Sequence, residues 1–403
     1  MKRSPQPLSA IPRTVWILGF ASLLNDVSTE MIHSILPLFL VGSLGASLTT
    51  VGFIEGLAES IGSVLKVFSG ALSDYLGHRK GLLVGGYALS TCVKPLFAVA
   101  TSSAWMLAAR ALDRVGKGIR VAPRDALVAD TTTPEMRGAA YGLRQSLDTV
   151  GALLGPLAAF ALLQRYANDF RLVFWLALIP AVLCVLLLLF GIREKAERVA
   201  PIQKTSIDFS ALKALGRPYW LVILVAFLFN LGNSSDAFLL LKLQSVGSQL
   251  AYIPLALVVM NATYAVSAYP AGILSDRFGR KGLIVSGILL YSVVYFGMAA
   301  ANEVWQVWLL LALYGIQLGL TQGVFLALVS DMVPESVRGT GFGLYSLLIG
   351  FTLLPASLLA GLLWEYVTPG AAFMFGGTCA ALALAVLIAS GVATGGSNAA
   401  NDH

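Results

Sequence analysis

The chain has 403 residues, of which 57% are apolar and 12% charged, with a formal net charge of +6. Soluble domains carry about 25% charged residues, so an ordinary cytosolic enzyme, a disulfide scaffold and a disordered tail are excluded, and lipid is the main solvent. The length accommodates about twelve passes of about 20 residues with short connections. The cysteines Cys92, Cys184 and Cys379 each sit in an apolar run and read as small core residues, neither a disulfide framework nor a metal cluster.

Hydrophobic periodicity predicts spans over roughly 14–42, 48–73, 80–100, 103–130, 138–163, 171–191, 218–243, 250–275, 282–301, 304–331, 339–364 and 370–392. The first has the basic start and apolar run of a signal peptide but no small-residue cleavage site, and it reads as an uncleaved helix. Within it Asp26, Glu30 and His33 fall inside an arc of roughly 60°, flanked by Asn25 and Thr29. A polar cluster halfway along an apolar helix should line a pathway. Proton coupling or a cavity ion pair is favoured over structural hydrogen bonding and over a divalent-metal site, which would need partners from other helices.

In the second span Glu55, Glu59 and Lys66 share a narrow face, and Glu59 is the expected partner of a fourth-span base. The third holds Lys94. In the fourth, the charges from Arg110 through Asp113, Arg114, Lys117, Arg120 and Arg124 to Asp125 occupy an arc of roughly 140°, opposite Leu112, Val115 and Ile119. Pro123 is expected to end or kink that helix, leaving Arg124 as a snorkelling residue near the cytoplasmic mouth. The fifth places Arg144 and Asp148 on one face with Gly151 and Gly155. A charge at the centre of a membrane helix costs about 2.5–3.5 kcal/mol, so these groups must pair or face water.

The later spans hold milder groups: Asn230, Asn233 and Asp236 in the seventh, Asn261 and Tyr264 in the eighth, Tyr291 and Tyr295 in the ninth, Tyr314, Gln317 and Gln322 in the tenth. Asp236 and Lys242 are the only charges within them short of Asp331 at the end of the tenth, and the set suits an amphipathic organic ligand. Basic residues recur at every second connection, at Arg79 and Lys80, Arg137, Arg193 to Arg217, Arg277 to Lys281, and Arg338. By the positive-inside rule this predicts a multi-pass protein of the cell membrane with both termini cytoplasmic.

An internal repeat is visible. Gly70-Ala-Leu-Ser-Asp74-Tyr-Leu-Gly77-His-Arg79-Lys80 returns as Gly272-Ile-Leu-Ser-Asp276-Arg277-Phe-Gly279-Arg280-Lys281, and Asp130 to Gly138, with Pro134, Glu135 and Arg137, returns as Asp331 to Gly339, with Pro334, Glu335 and Arg338. The repeat divides the chain into a bundle over 1–191, a charged cytoplasmic linker over 192–217 and a second bundle over 218–403. These motifs resemble the major facilitator superfamily along essentially the whole chain. The resemblance implies an all-α membrane protein of twelve transmembrane helices in two six-helix bundles. It implies that Gly70, Asp74, Gly77, Arg79 and Arg137, with Gly272, Asp276, Arg277, Gly279, Arg280 and Arg338, form cytoplasmic latches, the glycines permitting close helix contact. The first copy departs at Tyr75 and carries one inserted residue.

Arg114-Val-Gly-Lys117-Gly118 resembles the family's fourth-helix motif with lysine in place of glutamine, and Gly151-Ala-Leu-Leu-Gly155-Pro156 resembles the fifth-helix signature of its proton-coupled drug and metabolite exporters. The implied function is secondary active transport of a small organic solute, by proton-coupled efflux through alternating access, with Asp26 and Glu30 as first choices for the proton carrier. Alternatives are a proton-coupled importer of an organic anion, a divalent-metal exporter, and a non-transporting receptor or scaffold of the same fold. No phosphate loop or nucleophile elbow points to an enzyme, and no cofactor or nucleic acid is expected. The expected partners are the solute, protons and the bilayer, with the chain a monomer.

Overall fold

A computed structural model describes residues 11–76, 79–133, 136–192, 215–278, 280–333 and 338–390. The first span comprises α1 (Arg13–His33) and α2 (Leu36–Gly42). The next four are single helices: α3 (Leu48–Leu76), α4 (Arg79–Val99), α5 (Ser103–Thr131) and α6 (Arg137–Arg165). The sixth is α7 (Phe170–Leu176) with α8 (Leu178–Gly191), and the seventh is α9 (Arg217–Gly232) with α10 (Ala237–Ser245). Five helices follow: α11 (Leu255–Phe278), α12 (Arg280–Ala300), α13 (Val304–Met332), α14 (Arg338–Tyr366) and α15 (Pro369–Ala389). Among the described residues, nine of these twelve spans are long and apolar enough to cross a membrane by length and composition alone. The other three, α1 with α2, α3 and α5, carry most of the carboxylates and arginines placed inside spans above.

The described residues fall into two compact units, Met1–Phe39 with Val64–Lys204, and Leu40–Ser63 with Thr205–His403. In the first, α1 packs on α6 and α8, and α4 packs on α5 and α8; in the second, α9 packs on α14 and α15, and α12 on α13 and α15. The sequence repeat is thus also a repeat of helix pairings. The first unit has an apolar cluster at one end, built from Val15, Leu18, Leu83, Tyr87, Val128 and Leu188. At its other end Phe39, Phe97 and Phe174 meet ring to ring. Between these two apolar layers lies the charged stretch of α1, α4 and α5.

Two close approaches set the geometry. In the first unit, a Cβ on Gly151 would lie 2.7 Å from the Leu23 carbonyl oxygen, and one on Gly155 would lie 2.7 Å from both Val27 O and Glu30 Cβ. Only glycine lets α6 touch α1 there. In the second unit, Gly52 and Gly56 of α3 press on Ser357 and Leu354 of α14, and a Cβ on Gly361 would lie 2.5 Å from Leu48 O. Glu365 Oε2 then accepts the Thr49 backbone N–H at 2.9 Å, so the end of α14 caps the start of α3.

Several basic residues close helix C-termini, where carbonyls lack partners. Arg171 donates to Ala98 O at 2.6 Å and Ala100 O at 2.8 Å, Lys80 to Ile192 O at 2.6 Å, and Lys242 to Ala301 O at 2.7 Å. Lys242 is therefore a cap.

The structure corrects four sequence expectations. Helix α5 runs through Pro123 to Thr131, and Arg124 does not snorkel but donates to Ser22 Oγ at 2.7 Å. Inside a protein-lined membrane segment the one hydrogen bond that proline removes is tolerated. The seventh span is not continuous, because Asn233, Ser234, Ser235 and Asp236 interrupt it; such side chains compete with the helix for its own backbone groups. Cys92 is exposed, whereas Cys184 and Cys379 are buried. Gly272, expected at a close helix contact, would meet nothing within 4 Å among the described residues if it carried a Cβ.

Candidate functional site

In the first unit the polar face of α1 is held by α6 through Gly151 and Gly155, the glycine after one turn from Asp148 touching Asp26 Cβ. Asn25 Nδ2 donates to Asp26 Oδ1 at 3.2 Å. The Asp26 carboxylate shares its surroundings with Asp148 and with the cations of Arg124, Arg120 and Lys117. One turn along, Glu30 pairs with His33 Nδ1 at 3.5 Å and feels Lys117 and Arg114. Asp26, Glu30 and His33 therefore do line one face, and the fourth and fifth spans supply its charges.

Arg144 bridges to Asp148 at 3.0 Å and to Asp125 at 3.7 Å, while Arg124 Nε donates to Asp125 at 3.1 Å. The Tyr141 hydroxyl donates to the Asp125 carbonyl at 2.8 Å, which ties α6 to α5 at the same level. Asp113 and Arg114 are buried on α5, at 4% and 3% exposure, and Arg110 at 1%; Lys117 is exposed. Arg120 donates to Ser90 Oγ at 2.8 Å and lies over the Tyr87 ring with its guanidinium carbon 4.5 Å from the centroid.

Ser22, Tyr87 and Ser90, which the sequence did not single out, and Lys94, which it gave no partner, complete this cage. Lys94 is 1% exposed, donates to Thr29 Oγ1 at 3.5 Å, and has Asp113 as its foremost counter-charge. Tyr87, Ser90 and Lys94 stand at i, i+3 and i+7, one face of α4, and that spacing was the available signal. Ser22, Arg120, Arg124 and Asp125 belong with them.

Glu55, at 0% exposure, and Glu59, half-buried, lie on the stretch of α3 that clusters with the second unit. In that unit the break between α9 and α10 gathers Asn233 and Asp236 against three buried tyrosines. The Tyr314 hydroxyl lies 3.2 Å from Asn233 Oδ1 and 3.2 Å from Asp236 Oδ1, and the Tyr291 hydroxyl donates to Gly232 O at 2.9 Å. Tyr291 and Tyr295 stack with centroids 4.1 Å apart. Other candidates stand apart from this group: Asn230 donates to Ala226 O of its own helix at 2.8 Å, Gln317 to Thr321 at 2.9 Å, and Gln322 is exposed. Asn261 and Tyr264 are half-buried on α11.

Of the latch residues, Arg79 forms an ion pair with Asp130, joining the ends of α4 and α5. Arg137 begins α6 and is exposed, Arg280 begins α12 and is half-buried, and Gly272 is exposed on α11. Gly70 and Asp74 fall within α3, Asp276 and Arg277 within α11, and Arg338 begins α14; their side chains, and Gly77 and Gly279 altogether, lie outside the described residues.

A helical chain with a duplicated set of pairings, a charged cage in one unit and a broken, aromatic-lined helix in the other is built as a solute carrier of the lipid bilayer. The family model of the Major Facilitator Superfamily matches residues 18–254 and 238–400. The chain belongs to that superfamily of membrane transporters and is not an enzyme. It is similar to an uncharacterised MFS-type transporter of Methanocaldococcus jannaschii, 35% identical over 384 residues covering 94% of this chain and 95% of the relative. It is also similar to the multidrug resistance protein MdtH of Aeromonas hydrophila, 26% identical, with 83% of this chain and 84% of MdtH covered. Among solved structures, the nucleoside transporter NupG shares the fold with a TM-score of 0.79 at 11% identity, over 93% of this chain and 99% of that one.

Proposed function

We propose that this transporter exports a small amphipathic organic solute in exchange for protons, by alternating access of the bundles over 1–191 and 218–403. The observation that carries the reading is the α1–α6 contact. Gly151 and Gly155 bring the helix bearing Asp26 and Glu30 against the helix bearing Arg144 and Asp148. A carboxylate that shares its site with another carboxylate and with several cations changes its proton occupancy whenever those neighbours shift. The milder second unit then contributes shape and neutral polar contacts to the solute. The similarity to a multidrug resistance protein supports the outward direction. The termini and the linker over 192–217 are assigned to the cytoplasm of a monomer.

The excess of bases on α5 and α6 favours a second reading, proton-coupled import of an organic anion. Proteoliposomes with an imposed pH gradient separate the two, with ethidium and fluorescein as cationic and anionic probes. Export coupled to protons predicts probe movement against the proton flow, lost in Asp26→Asn and reduced at least tenfold in Glu30→Gln. If both neutral variants keep full proton-driven flux, the carrier assignment is wrong. If the anionic probe moves with the protons, the chain is an importer.

A further inference from the structure

Lys94 of α4 is held between two opposed effects. Its side chain is 1% exposed, and Nζ donates to Thr29 Oγ1 at 3.5 Å as its sole hydrogen bond among the described residues. It forms no ion pair among them; Asp113, its foremost counter-charge, acts on it without touching it. An ammonium offers three donors, so two find no protein acceptor there. Burying a charge out of contact with its counter-ion costs far more than burying a neutral amine.

The helices around this ammonium are closely seated. A Cβ on Gly86 of α4 would lie 2.8 Å from Gly116 O of α5, and one on Gly116 would lie 2.7 Å from Gly86 O. Ser90 reinforces the seat, accepting from Arg120 at 2.8 Å and donating to the Asp113 carbonyl at 3.2 Å. With α4 and α5 fixed in this way, hydration is what is left to vary around Nζ.

Every element packed on α4 bears on the charge. From α5 come Arg110, Asp113 and Arg120, with Arg114 acting on Asp113; from α8 comes the Cys184 thiol, and from α1 the Thr29 hydroxyl, next in sequence to Glu30. The α7 side presents Phe174 to Phe97, and its Arg171 is engaged with the carbonyls of Ala98 and Ala100. Tyr87 and Ser90 of α4 itself add hydroxyls. Guanidinium groups keep their protons in proteins, so Lys94 is the cation of this set that can be discharged. Thr29 suits both states, because its hydroxyl accepts from an ammonium and donates to an amine lone pair.

We propose that Lys94 is a proton-releasing group of the transport cycle, an ammonium while water reaches it and a neutral amine while the cage is dry. In that step one Nζ–H bond breaks, its electron pair stays on nitrogen, and the proton leaves with the water as hydronium. The proposal rests on the proton-coupled reading for its place in the cycle; the titration itself is measurable on the protein alone.

The 13Cε signal of Lys94 reports the state of the amine in the purified, detergent-solubilised chain grown on labelled lysine. Its absence in Lys94→Arg assigns it; if that variant does not purify as a single species, Lys94→Met combined with Asp113→Asn serves instead. The signal should move from the ammonium to the amine position as the buffer passes from mildly acid to mildly alkaline, while exposed lysines stay charged. In proteoliposomes Lys94→Arg, permanently charged, and the double variant, permanently neutral, should each lose pH-driven ethidium accumulation about tenfold or more. Both should retain ethidium exchange at equal pH. A Lys94 signal that stays charged across the range, or full pH-driven accumulation in Lys94→Arg, overturns the proposal. Loss of exchange together with accumulation does so too, since it marks a structural role. A titrating Lys94 in a chain that moves no probe on a pH gradient would count against the export reading and leave the titration standing.

Discussion

Arg144 shows how the first unit keeps its charges in the membrane. It is 9% exposed, contacts Asp148 and Asp125, and still has its Nε unpartnered, as has one oxygen of Asp148. Removing one member of a buried pair leaves an uncompensated charge and costs about 3–5 kcal/mol, while replacing both by apolar groups is often neutral. Arg144→Leu and Asp148→Leu are each expected to lower the unfolding temperature of the purified chain markedly, and the double variant should recover most of the loss. Additive losses would show that the two side chains stabilise the fold independently. Lys94 calls for the same treatment from another side. With one hydrogen bond at 3.5 Å, the ammonium depends on Asp113, so Lys94→Met should be tolerated better once Asp113→Asn is also present.

At the scale of the element, the α1–α6 seat leaves no room for a side chain. A Cβ on Gly155 would approach Val27 O and Glu30 Cβ to 2.7 Å, and backbone cannot step aside as a flexible side chain can. Gly155→Ala is expected to cost about 1–3 kcal/mol of stability by overpacking. Gly155→Leu should abolish flux while leaving membrane insertion intact, as read by fluorescence-detected size exclusion of the detergent extract. Full flux in Gly155→Leu would mean that the seat does not position Asp26 and Glu30.

This contact was legible in the sequence as Gly-x-x-x-Gly-Pro, because a small-residue pair at one helical period has few other uses in lipid. The arc of charge on α5 was legible for the same geometric reason. What escaped was continuity. Pro123 suggested a helix end where there is none, and Asn-Ser-Ser-Asp at 233–236 was taken into a helix that it interrupts. Local propensity misjudges Pro123, because neighbouring helices decide which backbone groups find partners, whereas at 233–236 the apolar run on either side outweighed side chains that compete with the helix. Lys94 escaped because a lone base on an apolar helix gives no hint of which carboxylate will face it.

For the whole molecule, the repeat gives two sets of matching pairings, yet the compact units do not follow chain order, since Leu40–Ser63 clusters with Thr205–His403. Chains severed within the linker and co-expressed as 1–204 and 205–403 are therefore expected to co-purify, held by α3 on α14. Gly56→Leu, whose side chain would press on Leu354 where a Cβ alone comes within 2.9 Å of its Cα, should release much of the affinity-tagged partner half. Undiminished recovery would assign the association to other contacts.

The same pairing has a consequence for synthesis. The Thr49–Glu365 contact closes a separation of 316 residues. At about 5–20 residues per second, roughly 15–60 s pass between the two ends leaving the ribosome. Throughout that interval α3 has no α14 to lie against, although Glu55 ends at 0% exposure in the finished protein. Nascent chains that stall before α14 would present an unseated acidic helix to the membrane quality-control machinery, which makes the eleventh span the last checkpoint for the second.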